Sequence, residues 1–161
     1  MKRNIYKYII HALAITINIF IIVQSSFKGS ISSNQSGWVV NMMKNIINAF
    51  FKDAINDNNI DMFTTITRKL IGHFLLFGVS GLFSTWSIYL FFNTKINKTY
   101  LLMLISLLFG FFLATLTEFI QHFLPGRVGS YLDVIIDTSG YLLFLLIFYL
   151  IVTLKNKKIS Q

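Results

Sequence analysis

Four apolar runs, each about as long as a bilayer is thick, leave this chain few ways to fold. They cover about 5–23, 70–92, 100–123 and 132–154. A helix rising 1.5 Å per residue needs roughly 20 apolar residues to cross the hydrocarbon. Inside it only helices and closed barrels satisfy every backbone N–H and C=O. Uninterrupted runs of this length, in a sequence with one proline, predict helices. With 55% hydrophobic and 12% charged residues the chain is too apolar for a soluble domain. The expectation is all-α: one integral membrane domain over 1–161, a bundle of four transmembrane helices.

The first run follows Lys2 and Arg3 and resembles a signal peptide, with "VQS" as a passable cleavage site. It is long for such a segment and lacks a helix breaker before that site, so it is read as a retained helix. Its His11 is expected to be a packed or interfacial histidine. The net charge of +8 raises the question of nucleic acid, but the basic residues cluster at the ends of the apolar runs. There they act as topology signals and contacts to anionic lipid, so membrane lipids and not nucleic acid are the expected partners. A cytoplasmic N-terminus places Lys2, Arg3, Lys7, Lys95, Lys98, Lys155, Lys157 and Lys158 inside, and Lys28, Lys44, Lys52, Arg68, Lys69 and Arg127 outside. The excess favours both termini in the cytoplasm, in a multi-pass protein of the plasma membrane. Arg68, Lys69 and Arg127 then require a local reason to be outside.

The outer loop 24–67 is not featureless. From Trp38, residues Val39, Met42, Met43, Ile46, Ile47, Phe50 and Phe51 share one side of a helix, with Asn41, Lys44, Asn45, Asn48 and Lys52 on the other. This predicts an amphipathic helix at about 38–52, lying in the membrane interface or closing over the bundle as a lid. The stretch before it, "SSFKGSISSNQSG", reads as a polar linker.

Chemistry concentrates at "EFIQHFLPGRVGSYLDVIID", Glu118 to Asp137, between the third and fourth runs. On the third helix Glu118 shares a face with Gln121 or His122; on the fourth, Asp133, Asp137 and Gly140 share another. Lys69 and His73 are one turn apart at the start of the second. "LPGRVGS" supplies a tight turn carrying Arg127. Carboxylates at a bilayer's centre cost about 2.5–3.5 kcal/mol each, less near the interface, so three acids on adjacent helices need partners or a polar cavity. Arg68, Lys69, His73 and Arg127 are the cations available. Intramembrane ionisable groups are a functional site by default; the plainer account is interhelical polar contacts that hold the bundle together.

No thiolate chemistry is open to a chain without cysteine, which excludes disulfides, thiolate zinc and cysteine nucleophiles. The acids and histidines follow no known zinc spacing. No metal or other cofactor is therefore expected, although Glu118, Asp133, Asp137 and His73 are a conceivable ligand set. Ser130 lacks the surroundings of a nucleophile and fits better as the cap of the fourth helix, three residues before Asp133.

These residues resemble the VanZ family of small bacterial membrane proteins. The likeness rests on "E-x-x-Q", "P-G-R" and "S-x-x-D-x-x-x-N/D-x-x-G", here Glu118, Gln121, Pro125, Gly126, Arg127, Ser130, Asp133, Asp137 and Gly140. It rests also on "R-K-x-x-H-F" at Arg68, Lys69, His73 and Phe74, and covers roughly Arg68 to Leu154. Asp137 stands where the family usually has Asn, which adds an acid, and Phe77 where Tyr is common. The resemblance implies a role in the Gram-positive cell envelope, in resistance to teicoplanin and related lipid-tailed glycopeptide antibiotics. The expected ligand is a lipid-linked cell-wall intermediate or a lipoglycopeptide, bound by Arg68, Lys69, His73, Glu118, Gln121, Arg127, Ser130, Asp133 and Asp137. The alternative is a membrane-embedded enzyme acting through Glu118, Asp133 and His73, either as acid and base or as metal ligands.

Overall fold

In the computed structural model the described residues, 2–92 and 99–159, are helical apart from short connections. The turn carrying Lys95 and Lys98 lies outside them. In order the elements are α1 (Lys2–Ser25), α2 (Gly29–Phe50), α3 (Ile60–Thr67), a π-helical segment (Arg68–Leu75), α4 (Leu76–Phe92), α5 (Thr99–His122) and α6 (Tyr131–Ile159). Four stretches are long and apolar enough to cross a membrane: Ile5–Ser25, Ile60–Phe92, Thr99–His122 and Tyr131–Lys155.

Two boundaries differ from the sequence reading. The continuous helical stretch that holds the second apolar run starts at Ile60 and not near Leu70, because α3 and the π segment feed into α4 without a break. The amphipathic helix starts at Gly29, so most of the supposed linker is helical. Serine and glycine are weak helix formers, and here tertiary contacts override them. The Gly29 N–H donates to the Pro125 carbonyl at 3.1 Å. Gly29 lies so close to Gly126 that a Cβ at position 29 would collide with the Gly126 carbonyl. Gly126 itself has φ +73°, the left-handed conformation that the tight turn demands. The amphipathic helix divides between its two expected settings. Val40 is buried, while Trp38 (65% exposed), Met42, Ile46 and Phe50 (80%) form an open apolar stripe.

Helix α4 is central and packs on α1, α5 and α6. Its buried face carries small and polar residues, among them Gly78, Ser80, Gly81, Ser84 and Thr85. That composition suits membrane helices, which associate through close backbone approach and side-chain hydrogen bonds and not through hydrophobic exclusion. At Gly81 a Cβ would strike the Tyr141 backbone, and at Gly140 the Phe74 carbonyl, so α6 crosses α4 and the π segment at contact distance. Asn18 of α1 accepts from Ser80 at 2.6 Å and donates to Ser84 at 2.9 Å. Deeper in the bundle the Thr85, Ser106 and Tyr141 hydroxyls form a chain, at 2.7 and 2.9 Å. His11 bonds to Ser87 at 2.6 Å and meets Phe91 edge-on, the packed role expected of it.

Candidate functional site

The buried face of α5 runs Ser106, Gly110, Leu113, Ala114, Thr117, Glu118, Gln121, a helical repeat that turns from small residues to charge at its last turn. Glu118 is only 4% exposed and Gln121 6%. The Glu118 carboxylate accepts the Gln121 side-chain N–H at 3.0 Å and the Ser130 backbone N–H at 2.9 Å, one on each oxygen. Ser130 thus anchors the turn by its backbone. Its carbonyl accepts from Asp133 and Val134, so the peptide group of Ser130, where a hydroxyl cap was expected, starts α6.

Arg127 reaches into the cluster from the turn, but not to an acid. It donates to the Gln121 side-chain oxygen at 2.6 Å and to the Phe27 carbonyl at 3.4 Å. Burial, and then the neighbouring Arg68, lower the pKa of its guanidinium below its ordinary value. It remains charged, as arginines in proteins do. Gln121 is therefore the hinge of the site: its amide N–H serves Glu118 while its oxygen serves Arg127. The sequence reading placed it on the right face without this bridging role.

Across from α5, the π segment delivers the other cations. Lys69 pairs with Asp133 at 2.8 Å. His73 Nδ1 lies 3.1 Å from Asp137 Oδ1 and 4.0 Å from Glu118 Oε1. Asp137 is fully buried, and its second oxygen has no hydrogen-bond partner among the described residues. No residue pattern in "RKLIGHFL" signals π winding, a form found most often at functional sites. The nine residues expected to bind a ligand are thus brought to one end of the bundle. Eight make these contacts, and the ninth, Arg68, turns toward α2, where it donates to the Ser32 hydroxyl at 3.5 Å. His122 is exposed and packs edge-on against Phe123, away from the cluster.

Beside the cluster opens a cavity of about 550 Å³. Arg68, Arg127, His73 and Gln121 line one part of it, with Ser32 and Gln35 of α2 and Gln24 of α1 adding neutral polar groups. Phe20, Ile21, Val39, Val40, Leu76 and Phe77 make the rest apolar. Among the described residues neither arginine is ion-paired. Lys69 and Asp133 do not line the cavity; their charges satisfy each other. The α2 residues were missed because their stretch, rich in Ser, Asn and Gln, has no apolar period to mark a helix.

A bundle with four candidate spans and an ionisable cluster closed between three of them defines a multi-pass membrane protein with a polar site at one end. More particularly, the chain belongs to the VanZ/LLP1 family, whose model matches residues 8–152. That match begins well upstream of Arg68, so the first helix and the loop belong to the family pattern too. No curated protein and no solved structure matches the chain.

Proposed function

We propose that the protein binds an anionic amphiphile of the cell envelope in this cavity, in the outer leaflet, and so lowers susceptibility to teicoplanin-type glycopeptides. Lipid-linked cell-wall intermediates and lipoglycopeptides share the required chemistry, a phosphate or carboxylate head on an apolar tail. One observation carries the reading: two arginines without acidic partners among the described residues stand at the wall of an otherwise largely apolar cavity. A guanidinium offers several N–H donors in a planar fork that fits phosphate and carboxylate oxygens. Gln121 holds Arg127 in place, and Glu118 holds Gln121, so the carboxylate positions the cation without neutralising it. In this orientation both termini face the cytoplasm.

The test is expression in a susceptible Gram-positive host of wild type, Arg68→Ala/Arg127→Ala and Glu118→Gln, with membrane levels matched. The double variant should lose protection against teicoplanin, and Glu118→Gln should keep part of it. Full protection by the double variant would remove the cavity from the account. A second reading, a membrane-embedded enzyme, is favoured by His73, which borders the cavity with Asp137 behind it as a general base requires. In that case Glu118→Gln alone abolishes protection and a lipid-linked substrate is turned over.

A further inference from the structure

We propose that His73, Glu118 and Asp137 form a binding site for one divalent transition-metal ion of the Zn²⁺ or Mn²⁺ class. Each residue offers a ligand atom, and the three atoms lie within 4.8 Å of one another. Ligands bound at about 2.0–2.2 Å around one ion stand roughly 3–3.5 Å apart. The 3.1 Å between His73 Nδ1 and Asp137 Oδ1 already meets that spacing, and the 4.0 Å to Glu118 Oε1 needs a small inward shift.

Charge balance points the same way. Asp133 is spent on Lys69, and Arg127 bonds to an amide and a carbonyl and ion-pairs with no acid among the described residues. That leaves two buried carboxylates, Glu118 and Asp137, sharing a single imidazole. With both carboxyls ionised, even a protonated imidazole leaves the trio with a net negative charge inside the span. A divalent ion with neutral His73 brings it to zero.

The unpartnered Asp137 Oδ2 is the second, independent observation. Binding to an ion, or swinging onto one, satisfies it. The supporting shell is in place as well: the Gln121 and Ser130 N–H groups fix the Glu118 carboxylate, as outer-shell donors fix metal-ligating acids.

One nitrogen and two carboxylate oxygens suit a borderline ion, whereas Ca²⁺ and Mg²⁺ prefer oxygen throughout. The spacing rules missed the set because the ligands come from three helices, and none of them makes a local motif. Asp133, the remaining member of the set considered from sequence, falls outside it.

The full-length protein, purified in detergent and stripped with EDTA, is dialysed against Zn²⁺ or Mn²⁺ and its bound metal measured. One ion per chain is expected for wild type. Asp137→Asn and His73→Gln should each fall at least tenfold below that, while Asp133→Asn and Arg68→Ala/Arg127→Ala keep it. The arginine variant separates this proposal from the ligand reading, since it removes the cavity's cations and leaves the metal ligands. Co²⁺ substitution of wild type, read by its visible d–d absorption, should show nitrogen and oxygen coordination and does not depend on any variant folding. Wild type that takes up none of these ions, or Asp137→Asn that binds as well as wild type, overturns the proposal.

Discussion

Replacing Glu118 by Gln preserves size and shape, yet the structure makes it a damaging change. Both carboxylate oxygens accept, one from Gln121 and one from the Ser130 N–H. An amide has only one accepting end. If its oxygen faces Ser130, its NH₂ confronts the Gln121 NH₂; in the reverse orientation it confronts the backbone N–H. Flipping Gln121 relieves the clash only by turning an NH₂ toward Arg127 and breaking the 2.6 Å bond. One buried donor is stranded in every arrangement, at about 1–3 kcal/mol, and each kcal/mol shifts the midpoint of a chain this size by about 2–4 °C. Glu118→Gln should therefore unfold roughly 2–12 °C below wild type in a detergent melt read by circular dichroism, with EDTA present to exclude metal effects. The exchange Glu118→Gln/Gln121→Glu supplies the control. The new amide at position 118 then accepts from Ser130 and donates to the new carboxylate at position 121. That carboxylate also accepts from Arg127, so every bond is restored with the charge moved one turn. Most of the lost stability should return. If Glu118→Gln melts with wild type, or the exchange is worse than the single variant, the relay through Gln121 is wrong.

Gly29→Val should detach the start of α2, because the new side chain has to displace the Gly126 carbonyl; faster proteolysis within 24–59 at an unchanged bundle melting point would register it. Asn18→Leu removes two interhelical hydrogen bonds and leaves the Ser80 and Ser84 hydroxyls buried. Serine can bond back to its own helix, so the loss should stay within about 0.6–1.7 kcal/mol in a denaturant titration, and a loss several times larger would give this layer a greater part in stability than its hydrogen bonds account for. Since the chain has no cysteine, single cysteines at Gln161 and Asn58 report orientation directly. An impermeant maleimide on intact cells should label position 58 and spare 161, and the opposite pattern would turn the site to the cytoplasm.

Length and apolarity alone determined that this chain makes four spanning helices, because a bilayer accepts few alternatives for such runs. The helical period likewise put Glu118 with Gln121, and Asp133 with Asp137, on shared faces, since position on a helix follows from residue number. Partner choice was a different matter. Arg127 was as free, by sequence, to meet Glu118 as Gln121; the Gly126 turn and the Ser130 N–H decided it by occupying the carboxylate first. Lys69, expected to contact ligand, is held by Asp133, and Arg68 is left to face the cavity because the π winding and α2 turn it there. The α2 wall was illegible for the same reason. Its first turns are weak helix formers held by Pro125 and Gly126, nearly a hundred residues away, and such contacts exist only once the bundle has assembled.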